Sequence, residues 1–93
     1  MSTIKSILVL ARRDHAEAMR VAAGLTIFGH QVGLVFMREA VAETEESASN
    51  AELLEICEIV PQTTVAAMAD DLTLLDAESL AVQMAASDVV LSL

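Results

Sequence analysis

Arg12-Arg13-Asp14-His15 is the densest cluster of chemistry-bearing side chains in the sequence, and it follows closely on the apolar run Ile7-Leu8-Val9-Leu10. The two guanidinium groups offer planar forks of donors to a carboxylate or phosphate. A histidine beside them can bind an anion or shuttle a proton near neutral pH. Asp14 stands three residues before Glu17, the spacing at which each side chain satisfies a backbone donor at a helix start. In open α/β sheets, ligands sit at the loop leaving the carboxyl end of a strand, with free helix N–H groups behind it. Arg12 to His15 is therefore the first place to expect a site.

The remaining candidates are scattered. Arg38 leaves a second apolar run as Arg12 and Arg13 leave the first, so in a parallel sheet these three arginines share one rim. They either pair with Asp14, Glu39 and Glu43 or hold an anion. Asp70-Asp71 offers two carboxylates for a cation, but reads more simply as a solvated turn before a helix. His30 follows a glycine that ends a helix and suits the negative end of that helix. Cys57 sits between Ile56 and Glu58 on an apolar helix face, without the neighbouring cation or helix N-terminus that a reactive thiolate needs. It reads as a small buried hydrophobe. Neither histidine has a ligand partner at zinc spacing, so no metal is expected. No glycine-rich phosphate loop or hydrolase elbow appears, and three glycines are too few to build one. No cofactor is expected, and no residue is assigned a catalytic role.

These residues require elements to hold them. The first run reads as a strand over 4–11, buried on both faces. Ala16 to Phe28 then carries a long helix ending at Gly29-His30, with Gly24 expected to mark close contact with the sheet. Gln31 to Met37 is a second strand, and so short a strand-helix-strand connection implies a parallel pair. Ala40 to Asn50 reads as an acidic loop or frayed helix start. Ser49 or Asn50 should cap a helix that turns Leu53, Leu54, Ile56, Cys57, Ile59 and Val60 inward and stops at Pro61. A third strand is expected over 62–68, helix within Leu72 to Ala86 with Asp76 as a cap, and a fourth strand over 88–92. The expected fold is a single α/β domain over 1–93, a three-layer α/β/α arrangement with a small, mostly parallel sheet.

Composition bounds the function. The chain has 93 residues, 55% of them apolar, and a net charge of −9. Fourteen residues are acidic; all but Asp14 and Glu17 fall from Glu39 onward, where no Lys or Arg occurs. That distribution argues against nucleic acid, since phosphate neutralisation needs clustered Lys and Arg. The absence of Trp and Tyr removes the usual base-stacking platform. No apolar run is long enough to span a bilayer and the first residues do not form a signal peptide, so no membrane association is expected. A single cysteine fits a reducing, cytoplasmic location. The apolar excess, with a last strand that no helix follows, leads us to expect an oligomer.

Several local strings, taken in order, carry a family resemblance. They are the helix closing on Gly29-His30, Val32-Gly33-Leu34-Val35-Phe36-Met37, Ala51-Glu52-Leu53-Leu54 before Pro61, Val65-Ala66-Ala67-Met68 leading into Asp70-Asp71-Leu72, and Ser87-Asp88-Val89-Val90-Leu91. Together, over nearly the whole chain, they resemble the DsrE/DsrF/DsrH family of small sulfur-relay proteins, closest to the DsrH (TusB-like) branch. The resemblance implies a DsrE-like fold and a cytoplasmic subunit of sulfur metabolism, assembled as a homo-oligomer or as a hetero-oligomer with related DsrE-like subunits. In sulfur-carrying members the persulfidated cysteine lies at or just after the third strand. Here that stretch is Val65 to Asp70 and holds no cysteine, as in DsrH-like subunits. The resemblance thus implies a non-catalytic component of a sulfur-relay assembly; the alternative is a small-anion-binding or weakly catalytic domain using the arginine rim. In either case the expected ligand or partner surface is Arg12, Arg13, Asp14, His15 and Arg38 with Met68, Ala69 and Asp70.

Overall fold

In the computed structural model the described residues are 4–38, 44–69 and 72–93, without the side chains at 46 and 47. In chain order the elements are β1 (Ser6–Ala11), α1 (His15–Ile27), β2 (Gln31–Phe36), α2 (Glu45–Ile56), β3 (Gln62–Thr63), a 3-10 turn (Ala66–Met68), β4 (Thr73–Leu74), α3 (Ala77–Ala86) and β5 (Val89–Ser92). The five strands form one sheet in the order β4-β3-β2-β1-β5, and every pairing is parallel. The central ladder runs from Ser6 opposite Gln31 to Ala11 opposite Phe36.

Strand alternation divides the apolar residues between two faces. Ile7, Val9 and Ala11 of β1, with Leu34 and Phe36 of β2, pack against Ala18, Met19, Ala22 and Ala23 of α1 and against Leu54 and Ile59. Leu8, Leu10 and Val35 point the other way and meet Leu80 of α3. The molecule is therefore the expected three-layer α/β/α, with α1 and α2 on one face of the sheet and α3 on the other.

The helix ends follow their sequences. Asp14 caps α1 by accepting from the Glu17 amide at 3.0 Å, while the Glu17 carboxylate pairs with Arg20 instead of completing the reciprocal box. Asp76 caps α3 through the Ser79 amide at 2.7 Å, and this hydrogen bond lowers the Asp76 pKa from its ordinary value. At its other end α1 closes with Gly29 N–H to Thr26 O and His30 N–H to Leu25 O, with Gly29 at φ 92°. The end of α2 repeats the pattern with Glu58 N–H to Glu55 O and Ile59 N–H to Leu54 O, but the left-handed residue is Glu58, at φ 60°.

Five expectations are corrected. The third strand is two residues long rather than spanning 62–68, because the Thr63 hydroxyl accepts from the Val65 amide at 2.9 Å and turns the chain out of the ladder. A fifth strand, β4, lies where helix was expected to begin; it pairs with β3 in register Gln62 to Thr73. α2 begins at Glu45, so Ser49 and Asn50 lie inside it, and Asn50 Nδ2 donates to Ala16 O of α1 at 3.2 Å. Ile56 and Val60 point outward, 78% and 82% exposed: Ile56, the last residue of α2, lies on the helix face away from buried Leu54, and Val60 follows the left-handed turn at Glu58 that ends the helical periodicity. Gly24 does not touch the sheet, since a Cβ there would meet nothing within 4 Å. The close approach is made by Gly33, where a Cβ would lie 3.1 Å from Leu8 Cδ1. Part of the acidic loop (40–43) and the Asp70-Asp71 turn lie outside the described residues.

Candidate functional site

Because all five strands run the same way, their carboxyl ends form one edge, and the chain leaves β1, β2 and β3 there at Arg12, Met37 and Thr64. Arg12, Arg13, Asp14 and Arg38 are exposed on that edge, and His15 is half-buried. Arg38 has φ 75°, a left-handed conformation that turns the chain sharply away from β2. Among the described residues the only ion pair is Arg20 with Glu17, so none of the three rim arginines is neutralised by a described carboxylate. Asp14 is engaged in capping. Glu39 and Glu43, the other expected partners, lie outside the described residues, as does Asp70.

His15 ties the edge together. Its Nε2 lies 3.2 Å from Met37 O; a carbonyl only accepts, so this nitrogen carries a proton. The ring meets Phe36 edge-on with centroids 5.5 Å apart. The imidazole thereby joins the first turn of α1 to the exit of β2, a positioning role for the rim. His30 does similar work at the opposite edge: its Nδ1 accepts from the Lys5 amide at 3.1 Å, so it serves the start of β1 rather than the carboxyl end of α1.

The crevice between β1 and β5 marks where strand order reverses, the usual ligand position in a doubly wound sheet. Here the chain fills it. Leu93 O accepts from both the Arg12 and Arg13 amides at 2.7 Å, and Leu93 N–H donates to Leu10 O at 2.9 Å. The Arg12 and Arg13 amides are thus consumed, and these two residues have their side chains left to receive a ligand.

Thr63 is the residue that sequence reasoning missed. Fully buried, its hydroxyl donates to Phe36 O at 3.0 Å, lies 3.7 Å from Met68 Sδ, and accepts from the Val65 amide. It folds Val65 to Met68 back over the β3 exit, so that Met68 packs on the core and Ala69 is exposed. A Thr-Thr pair following Pro61 and Gln62 at a strand end is the only signal, and it reads equally as strand.

Cys57 lies between α1 and α2 with Sγ 3.8 Å from Ala23 O, half-buried and near the strand starts. It belongs to the opposite end of the sheet from the rim. No three described His, Cys, Asp or Glu side chains are grouped to hold a metal ion. No described helix is long and apolar enough to cross a membrane.

The arrangement defines a doubly wound α/β protein with a basic carboxyl edge. No family model, curated protein or solved structure matches the chain.

Proposed function

We propose that this chain is a non-catalytic subunit of a DsrE/DsrH-like sulfur-relay assembly, in the cytoplasm, joining related subunits as a homo- or hetero-oligomer and using its basic carboxyl edge for docking. The observation that carries the reading is the β3 exit: Val65 to Ala69 offers no nucleophile at the position where relatives would bear their sulfur, beside arginines without described ion-pair partners. The resemblance set out above supports the sulfur-relay role. Cys57, half-buried at the other end of the sheet, is poorly placed to stand in for the missing thiol.

A second reading, an anion-binding or weakly catalytic edge, is favoured by those same arginines. Against it stands Leu93 O, which takes the Arg12 and Arg13 amides that could otherwise join their side chains on an anion.

Exposure to a polysulfide donor followed by intact-mass measurement separates these roles from sulfur carriage. The mass of the folded protein should stay unchanged; stable addition of one sulfur atom to Cys57 would end the non-catalytic reading. For docking, coexpression with DsrE-type subunits should give a complex that Arg12→Ala/Arg38→Ala weakens about fivefold, since two rim charges together are worth about 1 kcal/mol. Unchanged binding in a variant that unfolds several degrees lower would make the arginines structural.

A further inference from the structure

The amino end of β1 is held from both sides by side chains that extend the sheet's hydrogen bonding past the neighbouring strands. On the β2 side Gln31 N–H donates to Lys5 O at 3.0 Å, and the Lys5 amide donates to His30 Nδ1 at 3.1 Å. On the β5 side Asp88 N–H donates to Ser6 O at 2.8 Å, and the Ser6 amide donates to Asp88 Oδ2 at 2.8 Å. In each case the residue just before a strand supplies a side-chain acceptor. The two acceptors differ in chemistry. A carboxyl group keeps an accepting oxygen whether or not it is protonated, whereas an imidazole that accepts through Nδ1 is neutral and carries its proton on Nε2.

We propose that His30 is a pH-sensitive latch on the amino end of β1: the neutral imidazole holds the Lys5 amide and the imidazolium releases it. Imidazolium has a proton on both nitrogens, so turning the ring over offers no acceptor, and Nδ1–H would face Lys5 N–H. Histidine is the side chain whose charge changes between pH 5 and 8. The charged groups at this end are Lys5 itself, Asp88 on the far side of β1, and Glu55 and Glu58 where α2 ends; none of them forms an ion pair with His30. The last turns of α1 and α3 and the residues 59–62 leading into β3 carry no charged side chain. The carboxyl end of α1, immediately before His30, favours the cation. Release is therefore local. Lys5 O stays bonded to Gln31 and Ser6 to Asp88, so the freed stretch is the Lys5 amide with Ile4 ahead of it, which is already 64% exposed. The latch is independent of any sulfur-relay role and lies at the opposite end of the sheet from the arginine edge.

Nuclear magnetic resonance on the whole chain reads the latch without any substitution. Long-range nitrogen–proton correlation at pH 8 should show His30 protonated on Nε2 alone. As His30 titrates, protection of the Lys5 amide, corrected for the pH dependence of intrinsic exchange, should fall about fivefold, the ratio expected for one lost hydrogen bond. The Ser6 amide should keep its protection. In His30→Asn the side-chain oxygen takes the place of Nδ1 and does not titrate, so Lys5 should stay protected throughout; in His30→Ala it should be unprotected throughout. A proton on Nδ1 at pH 8 overturns the proposal. So does Lys5 protection that ignores the titration of His30, or an equal acid loss in His30→Asn, which would assign the release to another group.

Discussion

Thr63 is the only polar residue among those described that is wholly buried, and its hydroxyl makes use of both its donor and its acceptor capacity. It gives its proton to Phe36 O, which also receives the Thr64 amide, and takes the Val65 amide, for which no other acceptor is present. Thr63→Val keeps the shape and strand preference but leaves that amide unmatched, so the folded state should lose about 1–2 kcal/mol. The urea midpoint should fall with its slope unchanged. A neutral result would mean the turn is held by Met68 packing alone. The roles of single residues were the least legible part of the sequence. Arg12, Arg13, Asp14 and Arg38 could be assigned to one edge because strand exits follow from hydrophobic runs. That Leu93 O would consume the arginine amides depended on which strand lies beside β1, which composition and spacing do not encode.

At the scale of elements, two helices end in the same hydrogen-bonded turn with different residues in the left-handed position. Gly29 occupies it at the end of α1 without steric cost, whereas Glu58 does so at the end of α2 with a Cβ that crowds the backbone. Glu58→Gly should therefore raise stability by about 1 kcal/mol, and Gly29→Ala should lower it by a similar amount. A Cβ at Gly29 meets nothing within 4 Å, so the second change tests conformation without a clash. In a domain of this size 1 kcal/mol moves the melting temperature by roughly 4–8 °C, which differential scanning calorimetry resolves. Opposite shifts are expected; shifts of the same sign would locate the effect elsewhere. Helix α1 was legible because Asp14 and Gly29 mark both ends. The end of α2 was legible only as a stop at Pro61, since a glutamate carries no signal for a left-handed turn, and the outward placement of Val60 followed from that hidden turn.

For the molecule as a whole, the parallel α/β architecture was readable from long apolar runs separated by helical segments, but the sheet order was not. β3 and β4 are two residues each, too short for any alternation to register, and they place β4 and β5 at opposite edges of the sheet. α3 therefore crosses from one edge to the other and, among the described helices, covers its face alone. Among the described residues that face has four buried apolar residues, Leu8, Leu10, Val35 and Leu80, whereas the α1–α2 face has eleven. Leu80 is the only one of the four that α3 itself supplies, with Val82 64% and Met84 39% exposed. Leu80→Ala should accordingly cost about 2–4 kcal/mol, a large share of the roughly 5–15 kcal/mol that holds a typical domain together. The loss should also be uneven. Native-state hydrogen exchange should show α3 amides opening at low free energy while α1, packed through Ala18, Met19, Ala22 and Ala23, retains protection. If Leu80→Ala costs less than about 1 kcal/mol, well below the cost of truncating a core leucine, α3 is held by its Asp76 cap and its connections to β4 and β5 instead. Uniform loss of protection across α1 and α3 would instead show that the two faces of the sheet unfold as one unit.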